Sequence, residues 1–152
     1  MVALANAGWQ VTGIDIAKRA IAAAQKAADK HEVDVELEVA DATKWQPEGN
    51  YDLVLSSFAL PEGGDRATVF AMMRGSLAPG GTVALKEFDS SMSVRDFFRN
   101  MDLVTVEELR EAFGELDIVQ AEVVDTPVHD HDGSGANAGE NWTAALFHAQ
   151  RR

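Results

Sequence analysis

The stretch Val11-Thr12-Gly13-Ile14-Asp15 decides how the rest of this sequence is interpreted. Its apolar residues end in an acidic one, and an alanine-rich segment with helical spacing follows directly. This order predicts a buried strand with a carboxylate at its C-terminal tip. Because open α/β sheets bind their ligands at that end of the strands, Asp15 is the first candidate for a binding residue.

A second component of such a site is expected before Asp15. Dinucleotide-type sites have a glycine-rich turn about 20 residues before the acid. Asp15 stands too close to the first residue for that turn to fall within the chain. We therefore expect the sequence to contain only one part of a two-part ligand site.

The composition limits the class of protein. The chain has 152 residues, 46% of them apolar, which fits one globular domain with its own core. No apolar run reaches the roughly 18 residues of a membrane span, and the N-terminus does not resemble a signal peptide. A cytoplasmic location is therefore expected. The absence of cysteine excludes disulfides, thiol nucleophiles and thiolate metal sites.

The charge of the chain bears on its partners. The formal net charge is -12, and an acidic surface repels both the nucleic-acid backbone and anionic membranes. We therefore expect neither nucleic acid nor a membrane as a partner, and a small-molecule substrate is favoured.

The apolar pattern predicts alternating helices and strands. Helical patterns cover residues 2–7, 17–30, 65–77 and 106–113, and strand patterns cover residues 9–14, 33–39, 51–56, 82–88, 116–124 and 142–149. Gly8 is expected to end the first helix in a left-handed conformation, and Thr105 with Glu108 is typical of a capping box. This order predicts an α/β fold with a mostly parallel sheet, helices on both faces and a C-terminal antiparallel hairpin.

Four short segments at the ends of these elements form a recognisable set. They are Gly8-x-x-Val11-x-Gly13-Ile14-Asp15, Val39-Ala40-Asp41-Ala42, Tyr51-Asp52-Leu53-Val54-Leu55-Ser56 and Leu77-Ala78-Pro79-Gly80-Gly81. Together they resemble the Rossmann-like class I S-adenosylmethionine-dependent methyltransferases over nearly the whole chain. Ser57-Phe58-x-Leu60-Pro61 and the terminal hairpin are most similar to small bacterial methyltransferases related to the tellurite-resistance enzymes.

The resemblance implies roles for four residues near the nucleoside part of S-adenosylmethionine. Asp15 would accept hydrogen bonds from both ribose hydroxyls, since a carboxylate has two oxygens, and Ile16 would pack against the adenine. Asp41 would accept from the adenine amino group, and the backbone N–H of Ala42 would face a ring nitrogen. Two structural alternatives stay open: Asp15 is also a favoured helix cap, and Asp41-Ala42 is also a common turn.

The resemblance also assigns roles further along the chain. Ser56 and Ser57 would lie at the tip of their strand, beneath the methionine part and the methyl group. Residues 88–101, rich in aromatic residues and methionine, are expected to form a short helix and loop that serve as a lid or substrate wall. The Leu-Ala-Pro-Gly-Gly segment is interpreted as a helix stop and turn without a chemical role.

One strand of the family pattern is expected to be missing. The family's first strand and its glycine-rich loop would precede Met1, and that strand would be central, between those ending at Asp15 and Ser56. Its absence would leave backbone groups without partners. The two neighbours would then close up, a second chain would fill the gap in a homo-oligomer, or the sequence would be a fragment. Residues 1–152 are thus predicted to be a single methyltransferase-like domain, truncated at its N-terminus.

The His129-Asp130-His131-Asp132 segment has three interpretations. Two histidines with one residue between them can bind a metal, but with no third ligand the pattern is weak, and no metal site is predicted. A histidine that titrates near neutral pH can also serve as a general base, which makes His129 and His131 the weak catalytic candidates. A solvated loop is the favoured interpretation.

Three functional hypotheses remain. The first is an S-adenosylmethionine-dependent enzyme that methylates an unidentified small molecule. The second is a non-catalytic remnant of that fold which acts as a structural or interaction module. The third, a nicotinamide-binding Rossmann protein, shares the strand-end acid but explains Asp41-Ala42 and the terminal hairpin poorly.

Overall fold

A computed structural model describes residues 1–127 and 141–152. Its helices are α1 (Val2–Asn6), α2 (Lys18–Lys30), α3 (Asp65–Gly75) and α4 (Val106–Ala112). Its strands are β1 (Thr12–Asp15), β2 (Glu36–Val39), β3 (Tyr51–Ser57), β4 (Leu77–Phe88), β5 (Asp117–Pro127) and β6 (Asn141–Gln150), and two short 3-10 helices cover Ser90–Val94 and Asp96–Phe98. These elements form two units, Met1–Gln46 and Pro47–Arg152.

The first unit contains one parallel strand pair, β1 with β2, and the helices α1 and α2. Gly8 ends α1 with φ +88°, as predicted, and its N–H donates to the Ala5 carbonyl at 2.9 Å. The helix predicted over residues 17–30 is observed as α2, with Ala28 buried and Ile21 half-buried.

Both strands of this unit are shorter than predicted because neighbouring helices occupy their backbone groups. The Trp9 N–H donates to the Leu4 carbonyl at 3.1 Å, which completes the end of α1. The Val33 N–H donates to the Ala28 carbonyl at 3.1 Å, which keeps it bound to the end of α2. An N–H that closes a helix end cannot also join a sheet ladder, so the strands begin later.

The second unit contains a four-stranded sheet in the order β3-β4-β6-β5. β3 and β4 are parallel, whereas β6 is antiparallel to both β4 and β5. The predicted α/β fold, with parallel pairs joined through helices and an antiparallel C-terminal hairpin, is confirmed. Within residues 1–127 and 141–152, β1 pairs only with β2 and β3 pairs only with β4.

Aromatic side chains form much of the core of the second unit. The ring of Phe113, at the end of α4, lies 5.2 Å from Phe70 of α3 and 5.3 Å from Phe147 of β6. All three side chains are buried, together with Leu85 of β4 and Leu109 of α4. Burying each such side chain contributes about 1.5–3 kcal/mol, so these contacts hold both helices on the sheet.

The Leu-Ala-Pro-Gly-Gly segment is not the helix stop and turn that the sequence predicted, because α3 ends at Gly75 and these five residues form the first part of β4. The Ser76 carbonyl accepts the Tyr51 N–H at 2.7 Å, so the chain is already joined to β3 at this point and β4 begins at Leu77. Gly80 has φ +77°. A Cβ atom on Gly81 would lie 2.7 Å from the Tyr51 carbonyl oxygen, so only glycine fits this close approach.

Candidate functional site

Asp15 lies at the C-terminal tip of β1, as predicted. Its Oδ1 accepts the backbone N–H of Ala17 at 2.7 Å. This bond supports the start of α2, a helix that begins without a side-chain cap of its own. Asp15 is therefore not itself the helix cap of the structural alternative, since that position is held by Ala17, and Oδ2 accepts no hydrogen bond from the described residues. Asp15 can support the helix and still accept from a ligand.

The register of β1 and β2 brings the first four candidate residues to one end of the first unit. Asp15 lies opposite Val39, and the N–H of Ala40 donates to the Asp15 carbonyl at 3.1 Å. The segments that begin at Asp15 and at Asp41 therefore leave adjacent strand tips. Ile16, directly after the first acid, is 72% exposed, so its apolar surface is available for packing against a ligand.

The carboxylate of Asp41 is held within its own turn. Oδ1 accepts from the Thr43 hydroxyl at 2.6 Å and from the Thr43 N–H at 3.0 Å, and Oδ2 lies 3.0 Å from the Lys44 ammonium. The hydroxyl contact, followed by those of Lys44 and the backbone, lowers the pKa of Asp41 to about 2. The N–H of Ala42 donates to no acceptor among the described residues. The turn thus holds a fixed negative charge beside an available donor.

Ser56 and Ser57 occupy the tip of β3, in the second unit. The Ser56 hydroxyl donates to Oε1 of Glu87 at 2.7 Å, whereas Ser57 is exposed. The residue after them, Phe58, has φ +54°. A left-handed backbone costs a non-glycine residue about 1–2 kcal/mol, and strain of this kind is common at functional sites.

Glu87 is a buried acid at the tip of β4 that the sequence analysis did not single out. Its carboxylate accepts the Ser56 hydroxyl and also the Ala59 N–H, at 3.1 Å from Oε2 and 3.3 Å from Oε1. A signal was present, because alternation along β4 places Glu87 on the same face as the buried Val83 and Leu85. An acid at a buried position indicates a specific hydrogen-bonding role.

The surroundings of Glu87 have opposing effects on its pKa. Burial raises the pKa above its ordinary value, because desolvation disfavours the charged form. Hydrogen bonds from Ser56, Ala59 and Leu60 favour the charged form, as does the positive charge of Arg66, but burial has the larger effect.

An aromatic cluster lies beside the tips of β3 and β4. The ring of Phe88 is 4.4 Å from Phe58, 4.8 Å from Phe98 and 5.5 Å from Trp142. Phe98 is buried, whereas its neighbour Phe97 is 76% exposed. Residues 88–101 form the irregular, short-helical segment that was predicted, anchored by one aromatic ring and exposing another.

His129 and His131, the weak catalytic candidates, lie outside the residues that the structure describes. In the part of the chain that the structure describes, no helix has the length and apolar character needed to cross a membrane.

Parallel strand pairs with acids at their C-terminal tips are typical of Rossmann-like α/β folds. Residues 1–81 match the family described as a methyltransferase domain. The match covers more than half of the chain, and the chain belongs to this family. The predicted resemblance is therefore confirmed at the level of the family. No curated protein matches the sequence.

Solved structures of methyltransferases have the same fold. TehB from Haemophilus influenzae is 17% identical with a TM-score of 0.77, over 98% of this chain and 52% of TehB. A SAM-dependent methyltransferase from Methanosarcina mazei is 20% identical with a TM-score of 0.77, over 99% of this chain and 85% of that protein. The magnesium protoporphyrin IX methyltransferase ChlM from Synechocystis PCC 6803, solved with bound SAM, is 16% identical with a TM-score of 0.71, over 99% of this chain and 64% of ChlM.

These likenesses concern the fold, and their coverage differs. The chain spans about half the length of TehB. The tellurite-resistance branch that the sequence resembled is thus among the structural neighbours, together with enzymes that are named for other substrates.

Proposed function

We propose that this chain binds S-adenosylmethionine and takes part in methyl transfer to a small molecule. The observation that carries the proposal is the parallel register of β1 and β2, which places Asp15 and Asp41 after adjacent strand tips in a chain of the methyltransferase-domain family. The residues present suit a nucleoside. Asp15 has an unused carboxylate oxygen, Ile16 has an exposed apolar side chain, and Ala42 has an unused N–H.

The proposal gives each of these groups a task. Asp15 accepts from the ribose hydroxyls, Ile16 packs on the adenine ring, Asp41 accepts from the adenine amino group and Ala42 donates to a ring nitrogen. Ser56 and Ser57 remain the candidates for the methionine part, on the resemblance alone. A carboxylate has about four acceptor positions, so the three contacts within the turn leave Asp41 able to accept one more hydrogen bond.

Methyl transfer from S-adenosylmethionine requires the protein mainly to position the reactants. Bound S-adenosylmethionine supplies a methyl group on a good leaving group, so alignment of the acceptor and exclusion of water are the main contributions of the chain. The aromatic rings of Phe58 and Phe97 offer an apolar wall for that purpose. We assign residues 88–101 to this wall, and the proposed setting is the cytoplasm.

The partners belong to the same proposal. A small-molecule acceptor is favoured over nucleic acid or a membrane by the net charge of -12. Self-association into a homo-oligomer is kept as a hypothesis, and light scattering at high protein concentration tests it, since a monomeric mass would count against it.

The test is calorimetric titration with S-adenosylhomocysteine, the demethylated cofactor. Asp15→Asn keeps an acceptor for the Ala17 N–H but removes the charge and one of the two oxygens. We expect this variant to bind at least about tenfold more weakly, because a charge-assisted hydrogen bond contributes roughly 1.5–3 kcal/mol, while its melting temperature stays near that of the wild type. Asp29→Asn on the exposed face of α2 is the control.

Two results would decide against the proposal. Equal affinity of Asp15→Asn and the wild type would remove Asp15 from the site. No binding by the wild type at millimolar ligand would favour the second hypothesis, in which this chain is a structural or interaction module without a cofactor.

A further inference from the structure

We propose that Glu87 is a positioning residue that fixes residues 56–60 at the tip of β3 through hydrogen bonds rather than through its charge. The inference rests on the proposed function, because Ser56 and Ser57 are the candidates for the methionine part of the cofactor. It extends that function to a residue on another strand, which would act through Ser56 and Ala59.

The contacts of Glu87 all go to one short segment. The Ser56 hydroxyl donates to Oε1 at 2.7 Å, and the Ala59 N–H donates to both oxygens at 3.1 and 3.3 Å. The backbone of Leu60 also acts on the carboxylate and favours its charged form. Glu87 therefore binds the segment on both sides of Phe58, the residue with the left-handed backbone.

The segment needs such an anchor because Phe58 adopts a backbone conformation that is unfavourable for its side chain. Two other contacts hold the same residue. Its N–H donates to the Lys86 carbonyl at 2.9 Å, and its ring packs 4.4 Å from that of Phe88. Three consecutive residues at the end of β4 thus determine the path of the chain after β3.

The chemistry of the contacts explains why charge is not required. A protonated Glu87 could donate from one oxygen to the Ser56 hydroxyl and still accept the Ala59 N–H on the other, because a hydroxyl serves as either donor or acceptor. A glutamine amide can make the same set of bonds. Burial also disfavours a charge at this position. A residue that acts only through the geometry of its hydrogen bonds can function without that charge.

The neighbours of Glu87 that bear on its charge come from α3, from β6 and from the segment directly after β4. Arg66 of α3 is the cation that acts on the carboxylate, and Arg66 is itself paired with Glu108 of α4. The residue opposite Glu87 on β6 is Ala145, which carries no charge. Asp89, the residue directly after β4, accepts the Ser91 N–H instead.

The experiment compares Glu87→Gln, which keeps the hydrogen bonds, with Glu87→Met, which keeps the length of the side chain and loses them. Amide hydrogen exchange at Ala59 and Leu60, followed by NMR, reports on the anchor itself. Exchange at Phe147 in β6 reports whether each variant is folded. The matched control is Glu111→Met, an exposed glutamate on α4.

We expect Glu87→Gln to keep both the amide protection at Ala59 and the affinity for S-adenosylhomocysteine within about threefold. In Glu87→Met, exchange at Ala59 should accelerate and affinity should fall, each by roughly tenfold or more, because a partly buried N–H loses its acceptor. Phe147 and the control variant should be unchanged. Protection at Ala59 should also stay constant while the wild-type Glu87 titrates.

Other outcomes overturn the inference. If Glu87→Gln behaves like Glu87→Met, the negative charge is essential and the positioning role is wrong. If Glu87→Met leaves exchange at Ala59 unchanged, Glu87 does not hold the segment. If the wild type fails to bind S-adenosylhomocysteine, the proposed function fails instead, and the exchange rates still decide whether Glu87 is the anchor.

Discussion

At the scale of single residues, the charge of Asp41 is set by its immediate neighbours. The Thr43 hydroxyl makes the largest contribution to lowering its pKa to about 2, and Lys44 follows. We expect Thr43→Val to raise the pKa of Asp41 clearly toward its ordinary value, because the shortest bond to Oδ1 is lost. An NMR titration of the Asp41 side-chain carboxyl carbon measures this shift.

The control for that titration is Lys44→Met, which removes the exposed ammonium and keeps both contacts from Thr43. Its effect on the pKa of Asp41 should be smaller, because an exposed charge is screened by water. A larger shift in Lys44→Met than in Thr43→Val would mean that the cation, and not the hydroxyl, holds the charge of Asp41.

Asp15 and Asp41 were predicted from the sequence and Glu87 was not, because Glu87 makes its contacts with residues that are distant in the chain. Asp15 and Asp41 follow strands directly, and their main contacts lie within three residues in the chain. A strand-end pattern is enough to place them. Glu87 bonds to Ser56 and Ala59, 31 and 28 residues away. That pairing depends on how β3 lies beside β4, which no local pattern specifies.

At the scale of elements, the capping box predicted for α4 is only half formed. The Thr105 hydroxyl accepts the Glu108 N–H at 3.0 Å, as expected. The Glu108 carboxylate, however, accepts two hydrogen bonds from Arg66 of α3, both at 2.9 Å. A tertiary ion pair has replaced the local contact: one guanidinium nitrogen of Arg66 donates to both carboxylate oxygens, and such charge-assisted hydrogen bonds are strong. Sequence patterns predicted the helix start but not its partner.

Arg66 joins several elements of the second unit. Its guanidinium also donates to the Pro61 and Asp102 carbonyls, and its side chain is only 6% exposed. We expect Arg66→Met to lower the free energy of unfolding by about 2–3 kcal/mol. Breaking a buried pair costs roughly 3–5 kcal/mol, and the value is reduced here because the Glu108 side chain is 38% exposed and can regain water. Urea unfolding followed by tryptophan fluorescence measures the change.

The matched control is Arg99→Met, which breaks an ion pair with Asp96 in which both side chains are largely exposed. Exposed pairs contribute about 0–1 kcal/mol, so this variant should unfold close to the wild type. Equal losses in the two variants would show that Arg66 acts as an ordinary surface charge.

At the scale of the molecule, the apolar periodicity of the sequence was sufficient to predict the fold class. Backbone hydrogen bonds determine where the helices and strands begin and end. The order of elements gave the α/β fold and the terminal hairpin, because alternating helices and strands allow few arrangements. The late start of β2 and the early end of α3 depend on Val33 and Ser76, whose backbone groups already have partners. Which chain segments pair is a property of the assembled sheet and cannot be read from one strand.

Stability as a function of pH depends on two acids with opposite shifts. The pKa of Asp41 is lowered, so its contribution to stability is present above its ordinary value of 3.8 and is lost as the pH falls toward about 2. The pKa of Glu87 is raised above 4.5. Its contribution is present below that value and is lost as the pH rises through its higher folded-state pKa.

The variant Glu87→Gln isolates the contribution of Glu87 to the pH dependence of stability. The net charge of -12 also weakens the folded state as carboxylates ionise, but that repulsion is nearly common to the wild type and the variant. We therefore expect the free energy of unfolding of the wild type, relative to Glu87→Gln, to fall as the pH rises from 4.5 through the folded-state pKa of Glu87. Urea unfolding at intervals from pH 4 to pH 8 measures the difference, with the exposed Glu111→Gln as the variant whose profile should stay parallel to the wild type. Parallel profiles for Glu87→Gln and the wild type would mean that Glu87 has the same pKa in the folded and unfolded chains, and burial would then not govern its ionisation.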